Sequence, residues 1–244
     1  VKRAAILVVG LLVAGVCSRL GIWQLQRLED RNERNRRAEQ QLALPALQLD
    51  ALSAPDIAAD PEAYRFRSVV ARGRFDLTRE LVVIARAHNG VPGVHLVTPL
   101  MLGDSLAVLV ERGWLPSPDG RTVQPHLATE RPQATVQGVL LRVDGRAVAT
   151  SGADSWPRRV MRPAPALAGS WYPYRLLPLL LRRRTPPSGS SLRSVDLPAL
   201  SRGPHLSYAV QWFGFATIAL VGSIVLFVRQ GDSAAGEDSP PNPA

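Results

Sequence analysis

"HLSYAVQWFGFATIALVGSIVLFVR", His205 to Arg229, sets a histidine, a tyrosine, a glutamine and a tryptophan at the mouth of a long apolar run. From Ala209 to Val228 no side chain is charged. Twenty helical residues rising about 1.5 Å each match the roughly 30 Å hydrocarbon core of a bilayer. The stretch therefore reads as a transmembrane helix over 206–228. His205, Tyr208 and Trp212 share one face at the i, i+3, i+7 spacing, at one membrane boundary. Two readings of that face are open from the residues alone. Tyr and Trp gather at interfaces in any membrane protein, whereas a neutral imidazole flanked by aromatic rings is also suited to hold haem iron.

The other end of the chain carries a second apolar run, "AAILVVGLLVAGVCSRLGIW", Ala4 to Trp23, behind Lys2 and Arg3. It spans a bilayer if Arg19 snorkels to the headgroups or faces protein. A cleaved signal peptide is the competing reading of a basic start and an apolar stretch. No A-x-A pattern follows and the apolar segment continues to Trp23, so the run is expected to be an uncleaved span over 4–23. "QLQRLEDRNERNRRAEQQLAL", Gln24 to Leu44, follows as a charged helix with Asp30–Arg34 and Glu33–Arg37 at i, i+4. Pro45 is expected to end it.

Composition removes several functions. The chain has 244 residues, a formal charge of +9 and one lysine, Lys2, so its positive charge is almost wholly arginine. Arginines scattered beside two spans, with no aromatic reader motif, argue against a nucleic-acid partner. Cys17 is the only cysteine, which excludes an intramolecular disulfide, a thiolate zinc site and a CxxC pair. His88, His95 and His126 stand at no familiar metal spacing and read as loop or strand residues. There is no glycine-rich phosphate loop, G-x-S-x-G elbow or HExxH, so no enzyme is expected. Glu111 in "VLVERGW" reads as an outward-facing strand carboxylate paired to an arginine.

The middle of the chain alternates β-branched runs with turn signals. "YRFRSVVARGRF", "ELVVIARA", "GVHLVTPLML" and "LAVLVERGWLP" are separated by "HNGVPG" and "GDS", and "ATVQGVLLRV" and "AVATSG" flank "DGR". Turns this short predict antiparallel neighbours in a small meander or open barrel. Val70, Val83, Val97 and Leu109 are expected on its inner faces, with Val82 facing out. A short helix is expected at "RLLPLLLRRR", limited by Pro178. The fold class is thus a membrane protein with two transmembrane α-helices flanking a mainly antiparallel β (α+β) extracytoplasmic domain over 24–204. The tail, 229–244, is polar and expected to be disordered.

In order, the parts are a span, "GIWQLQR", a helix, "YRFRSVVARGRFD", "VLVERGWLP", "HLSYAVQWFGFA" and a span. This arrangement resembles the surfeit-locus family of cytochrome c oxidase assembly factors. The likeness runs from Gly21 to about Phe215 and includes Tyr64, Arg65, Gly73, Phe75, Pro99 and Arg112 to Trp114. The resemblance implies an assembly factor for a haem-copper cytochrome c oxidase that binds or escorts haem A for insertion into the core subunit. The alternative is a membrane-tethered adaptor that stabilises the nascent subunit without touching haem. The family's favoured ligand corresponds to His205, here preceded by "RGP". Tyr208 and Trp212 would wall the haem, with Trp23, Gln24 and Arg27 at the same boundary, and Arg27 or Arg19 would serve the propionates. For Trp23 and Gln24 an interfacial anchor and a helix–helix hydrogen bond are the competing roles. The implied partners are the oxidase core subunit, haem-synthesis enzymes and the lipid bilayer, and the implied location is a bacterial inner membrane with the central domain outside the cytoplasm.

Overall fold

The structure, a computed structural model, describes residues 2–124, 129–143, 155–165 and 169–236. The expected strand at "AVATSG", His126 and the last residues of the tail lie outside these. The chain divides into two units, one made of residues 1–36 with 200–244 and the other of residues 37–199.

In the first unit, helix α1 (Lys2–Ala43) begins as the apolar run and continues without a break through the charged segment. Helix α3 (His205–Gly236) opens on the histidine and carries its helical backbone past Arg229. Each is long and apolar enough to cross a membrane, over Ala4–Ala43 and His205–Arg229 respectively. Val8, Val9, Leu11, Leu12, Val210, Ile218, Val221 and Val225 are exposed. Their number on two helices fits a lipid-facing surface. The chain is a two-span membrane protein carrying a sheet domain.

Among its described residues the sheet unit holds eight strands and one short α-helix: β1 (Leu47–Leu49), α2 (Ala54–Ala59), β2 (Ser68–Phe75), β3 (Leu81–His88), β4 (Val91–Met101), β5 (Leu106–Pro116), β6 (Gln133–Leu141), β7 (Arg158–Val160) and β8 (Arg175–Arg183). Their order is β1-β2-β6-β8-β5-β4-β3-β7, with a further β2–β4 pairing. That pairing, Arg74 to Met101 and Phe75 to Leu100, closes a circuit of β2, β6, β8, β5 and β4. β2 and β4 also carry β1 and β3 along their remaining edges. Val69, Ala71, Phe75, Leu100, Val108, Val110, Val136, Leu140 and the β8 leucines 177, 179 and 181 form the core of this circuit, joined by Ile57 of α2.

Three expectations are corrected. The sheet is mainly antiparallel but not a meander, because β1–β2, β3–β7 and β5–β8 are parallel. "RLLPLLLRR" is strand β8 and not a helix. Leucines on both of its faces are buried and so lack an alternating signal. Pro178 falls where the ladder to β5 is irregular, between Ala107↔Leu176 and Leu109↔Leu180, so its missing N–H breaks no regular rung. Last, Val83, Val97 and Leu109 do share one buried cluster, but Val82 is buried too, with Ile84, Val94, Leu96 and Leu115 on the opposite face. Strand β3 is thus covered on both sides, while in β2 it is Val69 that is buried and Val70 that is only half-buried.

Candidate functional site: the junction of the two spans

The site begins with how α1 and α3 meet. Buried or half-buried residues of α1 recur alternately four and three apart, at Gly10, Ala14, Cys17, Gly21, Gln24, Leu28, Arg31 and Asn35. On α3 the same rhythm runs through His205, Ala209, Trp212, Ala216, Ala219 and Ser223. A period of 3.5 residues is that of a left-handed helix pair. Small residues permit close approach where apolar burial drives nothing in lipid. A Cβ on Gly10 would run into the Ser223 side chain, and one on Gly21 would meet the ring of Phe213. The helices are antiparallel, so Gln24 comes level with His205.

There the imidazole of His205, half-buried, places Nδ1 3.0 Å from Gln24 Oε1. An amide oxygen can only accept, so Nδ1 carries a proton, and in the neutral imidazole the lone pair is then on Nε2. Among the described residues no hydrogen-bond partner of Nε2 is recorded. A Cβ on Gly203 would stand 3.3 Å from Cδ2 and 3.5 Å from Nε2, and Gly203 has φ +69°, a conformation that also favours glycine. The strap before α3 is pinned to α1: Arg31 Nε and Asn35 Nδ2 both donate to the Ser201 carbonyl, at 2.9 and 3.1 Å. The Gly203 N–H in turn donates to Ser201 Oγ at 3.0 Å.

The remaining residues singled out in the sequence are placed around this pair to different degrees. Trp212 is half-buried and packs edge-on to Phe215, ring centroids 5.9 Å apart. Tyr208 is 45% and Trp23 43% exposed. Arg27 lies over the Trp23 ring, 5.6 Å from its centroid, and 3.9 Å from Asp30. Arg19 is exposed. Gln24 is the residue joined directly to His205. Arg31 was passed over in the sequence, though it stands seven residues beyond Gln24 on the same helix face.

A second cluster of chemistry-bearing side chains, in the sheet unit, was also missed. Glu111 is 3% exposed, not outward-facing, though it does pair with an arginine. Its Oε1 lies 2.6 Å from His95 Nδ1, and its Oε2 accepts from Arg182 Nε at 2.5 Å. Burial pushes this carboxyl up, but the hydrogen bond from His95 and the charge of Arg182 prevail, and its pKa falls below the ordinary value. Arg112, 1% exposed, is the extra residue of a bulge, since Leu96 pairs with Gly113 and Val97 with Glu111. Its guanidinium binds Glu80 at 2.6 Å and Glu130 at 2.8 Å, and Arg183 grips Glu130 through both terminal nitrogens. Burial raises the Glu80 pKa despite Arg112, whereas for Glu130 the Arg183 hydrogen bond and the nearby charges overcome burial and lower it. The "ERGW" motif thus sends successive charges into two buried networks. Their partners lie on β4, β8 and the segments before β3 and β6, which a single strand cannot reveal. A cleft of about 470 Å³, lined by Glu130, Arg131, Gln133, Thr135, Arg183 and Ser188 among others, opens beside the second network.

Three relatives locate the chain among known proteins. The Cytochrome oxidase assembly protein SHY1 of Saccharomyces cerevisiae is 32% identical over 45% of this chain and 28% of its own length. Uncharacterized SURF1-like proteins of Mycobacterium bovis and Mycobacterium tuberculosis are each 25% identical over 83% of this chain and 74% of their own. The sequence profile of the SURF1 family matches residues 11–217, from within the first span to within the second. That match takes in Gln24, the sheet unit and His205, and the chain belongs to the SURF1 family.

Proposed function

We propose that this protein is a cytochrome c oxidase assembly factor that holds haem A at the junction of its two spans and presents it for insertion into the oxidase core subunit. The observation that carries the haem reading is the Gln24–His205 hydrogen bond, which occupies Nδ1 and leaves Nε2 as the nitrogen that would bind the iron. The assembly role is supported by family membership and by the name of the yeast relative.

The residues present fit the group. Haem needs one protein nitrogen and an apolar flank, and the half-buried His205 at the mouth of two apolar helices offers both. When bound, haem A supplies the redox-active iron centre that the core subunit requires. His205 would hold the iron through Nε2, the ring of Trp212 and the apolar surface of the spans would flank the macrocycle, and Arg27 or Arg31 would meet the propionates at the boundary. Tyr208, Trp23 and Arg19 take interfacial positions around it. The reading assigns no reaction to the chain, and places it in a bacterial inner membrane with 24–204 outside the cytoplasm and haem-synthesis enzymes as suppliers.

The test is haem content. The full chain, purified in mild detergent from haem-replete cells, is expected to show a haem spectrum that His205→Ala abolishes or shifts at equal membrane abundance. Substitution at the interface leaves the apolar run intact, so insertion is preserved. Unchanged haem content in His205→Ala removes the ligand role. One observation favours the adaptor as second reading: Tyr208 and Trp23 leave nearly half of their surface exposed, as anchors or partner contacts would.

A further inference from the structure

Resting on the reading of His205 as a haem ligand, we infer that Gln24 is a positioning residue for that ligand. It sets the Nδ1–H tautomer of His205 and fixes the direction of Nε2.

The two side chains are 181 residues apart in sequence and meet only because the helix seam aligns them, at 3.0 Å. A free imidazole exchanges its proton between the two nitrogens and rotates. An acceptor at Nδ1 removes both freedoms, and the hydrogen bond makes Nε2 a better donor to a metal. Gln24 reaches this position from a seam site, half-buried between Gly21 and Leu28 on the face that meets α3, so its own side chain is restrained. On the opposite edge of the ring stands Gly203, the residue whose Cβ would lie 3.5 Å from Nε2. Its strap is tied to Arg31 and Asn35 on the same face of α1. One nitrogen is therefore held by a carbonyl on the first span. The other is bordered by a residue without a side chain. The competing role for Gln24, a hydrogen bond that merely joins the helices, calls for no particular chemistry at Nε2.

The experiment titrates hemin into the purified full-length apoprotein in mild detergent, comparing wild type with His205→Ala, Gln24→Leu and Gln24→Glu. It reads the dissociation constant and the midpoint reduction potential, with protease resistance of each apoprotein as the folding control. Gln24→Leu is expected to weaken binding about 10–100-fold, the usual cost of removing the partner of a ligating imidazole. Gln24→Glu is expected to bind like wild type with a lower midpoint potential, because a carboxylate accepts the stronger bond and renders the ligand more anionic. Helix joining alone moves no potential, so the Glu variant decides even where the Leu variant fails to fold. Loss of binding in His205→Ala with unchanged affinity in Gln24→Leu and unchanged potential in Gln24→Glu overturns the positioning role and leaves the ligand reading standing. Full binding by His205→Ala overturns both.

Discussion

Glu111 shows how much a single residue's environment can depart from its sequence context. In the sequence it is the one carboxylate of an apolar strand, and its three-residue network is invisible because His95 and Arg182 lie on neighbouring strands, 16 and 71 residues away. Its native carboxyl titrates below the ordinary glutamate value of about 4.3. Its contribution to stability is therefore complete above that value, and is lost as the pH falls through the lower native one. Glu130 behaves alike, while Glu80, raised by burial, favours the folded state at low pH and loses that contribution as the pH rises through its native value. Glu111→Ala would leave Arg182 and His95 facing a buried gap, at a cost of about 3 kcal/mol at pH 7. Denaturant unfolding of the detergent-solubilised chain is expected to show the gap between wild type and variant narrowing as the pH drops below about 4. A gap that stays constant with pH would assign the loss to packing instead. His205 was legible as a candidate from its position at the mouth of a span, and Gln24 as a residue at the same boundary able to hydrogen-bond between helices, but that the two bond each other followed only from the register of the two helices.

At the scale of elements, legibility followed the physics of each signal. The second span announced itself, because twenty uncharged residues in a row have few other uses, while the first was plainest over Ala4 to Ser18, before Arg19 interrupts its apolar run. β2 to β6 were readable from β-branched runs and turns, whereas β8 was not, because a leucine run buried on both faces has no period and looks as helical as it does extended. The same double burial overturns the expected contrast between Val82 and Val83, which are 2% and 1% exposed. Val83 packs with Leu81, Val97 and Leu180, and Val82 with Ile84, Leu96 and Leu115. Aspartate at either position would strand a charge among aliphatic side chains, at a cost of roughly 3 kcal/mol or more. Limited proteolysis is expected to show both variants losing resistance to a similar degree. A protected Val82→Asp would mean that the outer cluster yields to water.

For the whole molecule, the question that composition poses most sharply is which way the chain threads the bilayer. Arg27, Arg31, Arg34, Arg36 and Arg37 follow the first span and outnumber Lys2 and Arg3 before it. A count of charge alone would keep the middle of the chain in the cytoplasm. The proposed topology runs against that count, and two features weigh for it. Segments as long as the one between these spans cross largely regardless of charge. The arginines here also belong to folded structure: Arg27 pairs with Asp30, and Arg31 donates to the Ser201 carbonyl. Antiparallel pairing of α1 and α3 further requires that the ends of the spans bearing Gln24 and His205 emerge on one side. Whichever side takes the segment between the spans therefore takes the Gln24–His205 pair with it. Arg121, in the turn that Asp119 organises by accepting the backbone N–H groups of Arg121 and Thr122, is a place to read this out. Alkaline phosphatase fused at Arg121 is expected to be active, since it folds only outside the cytoplasm, and a fluorescent protein that matures only inside is expected to stay dark there. The reverse pattern would put His205 at the cytoplasmic boundary and require haem to be handed over from that side.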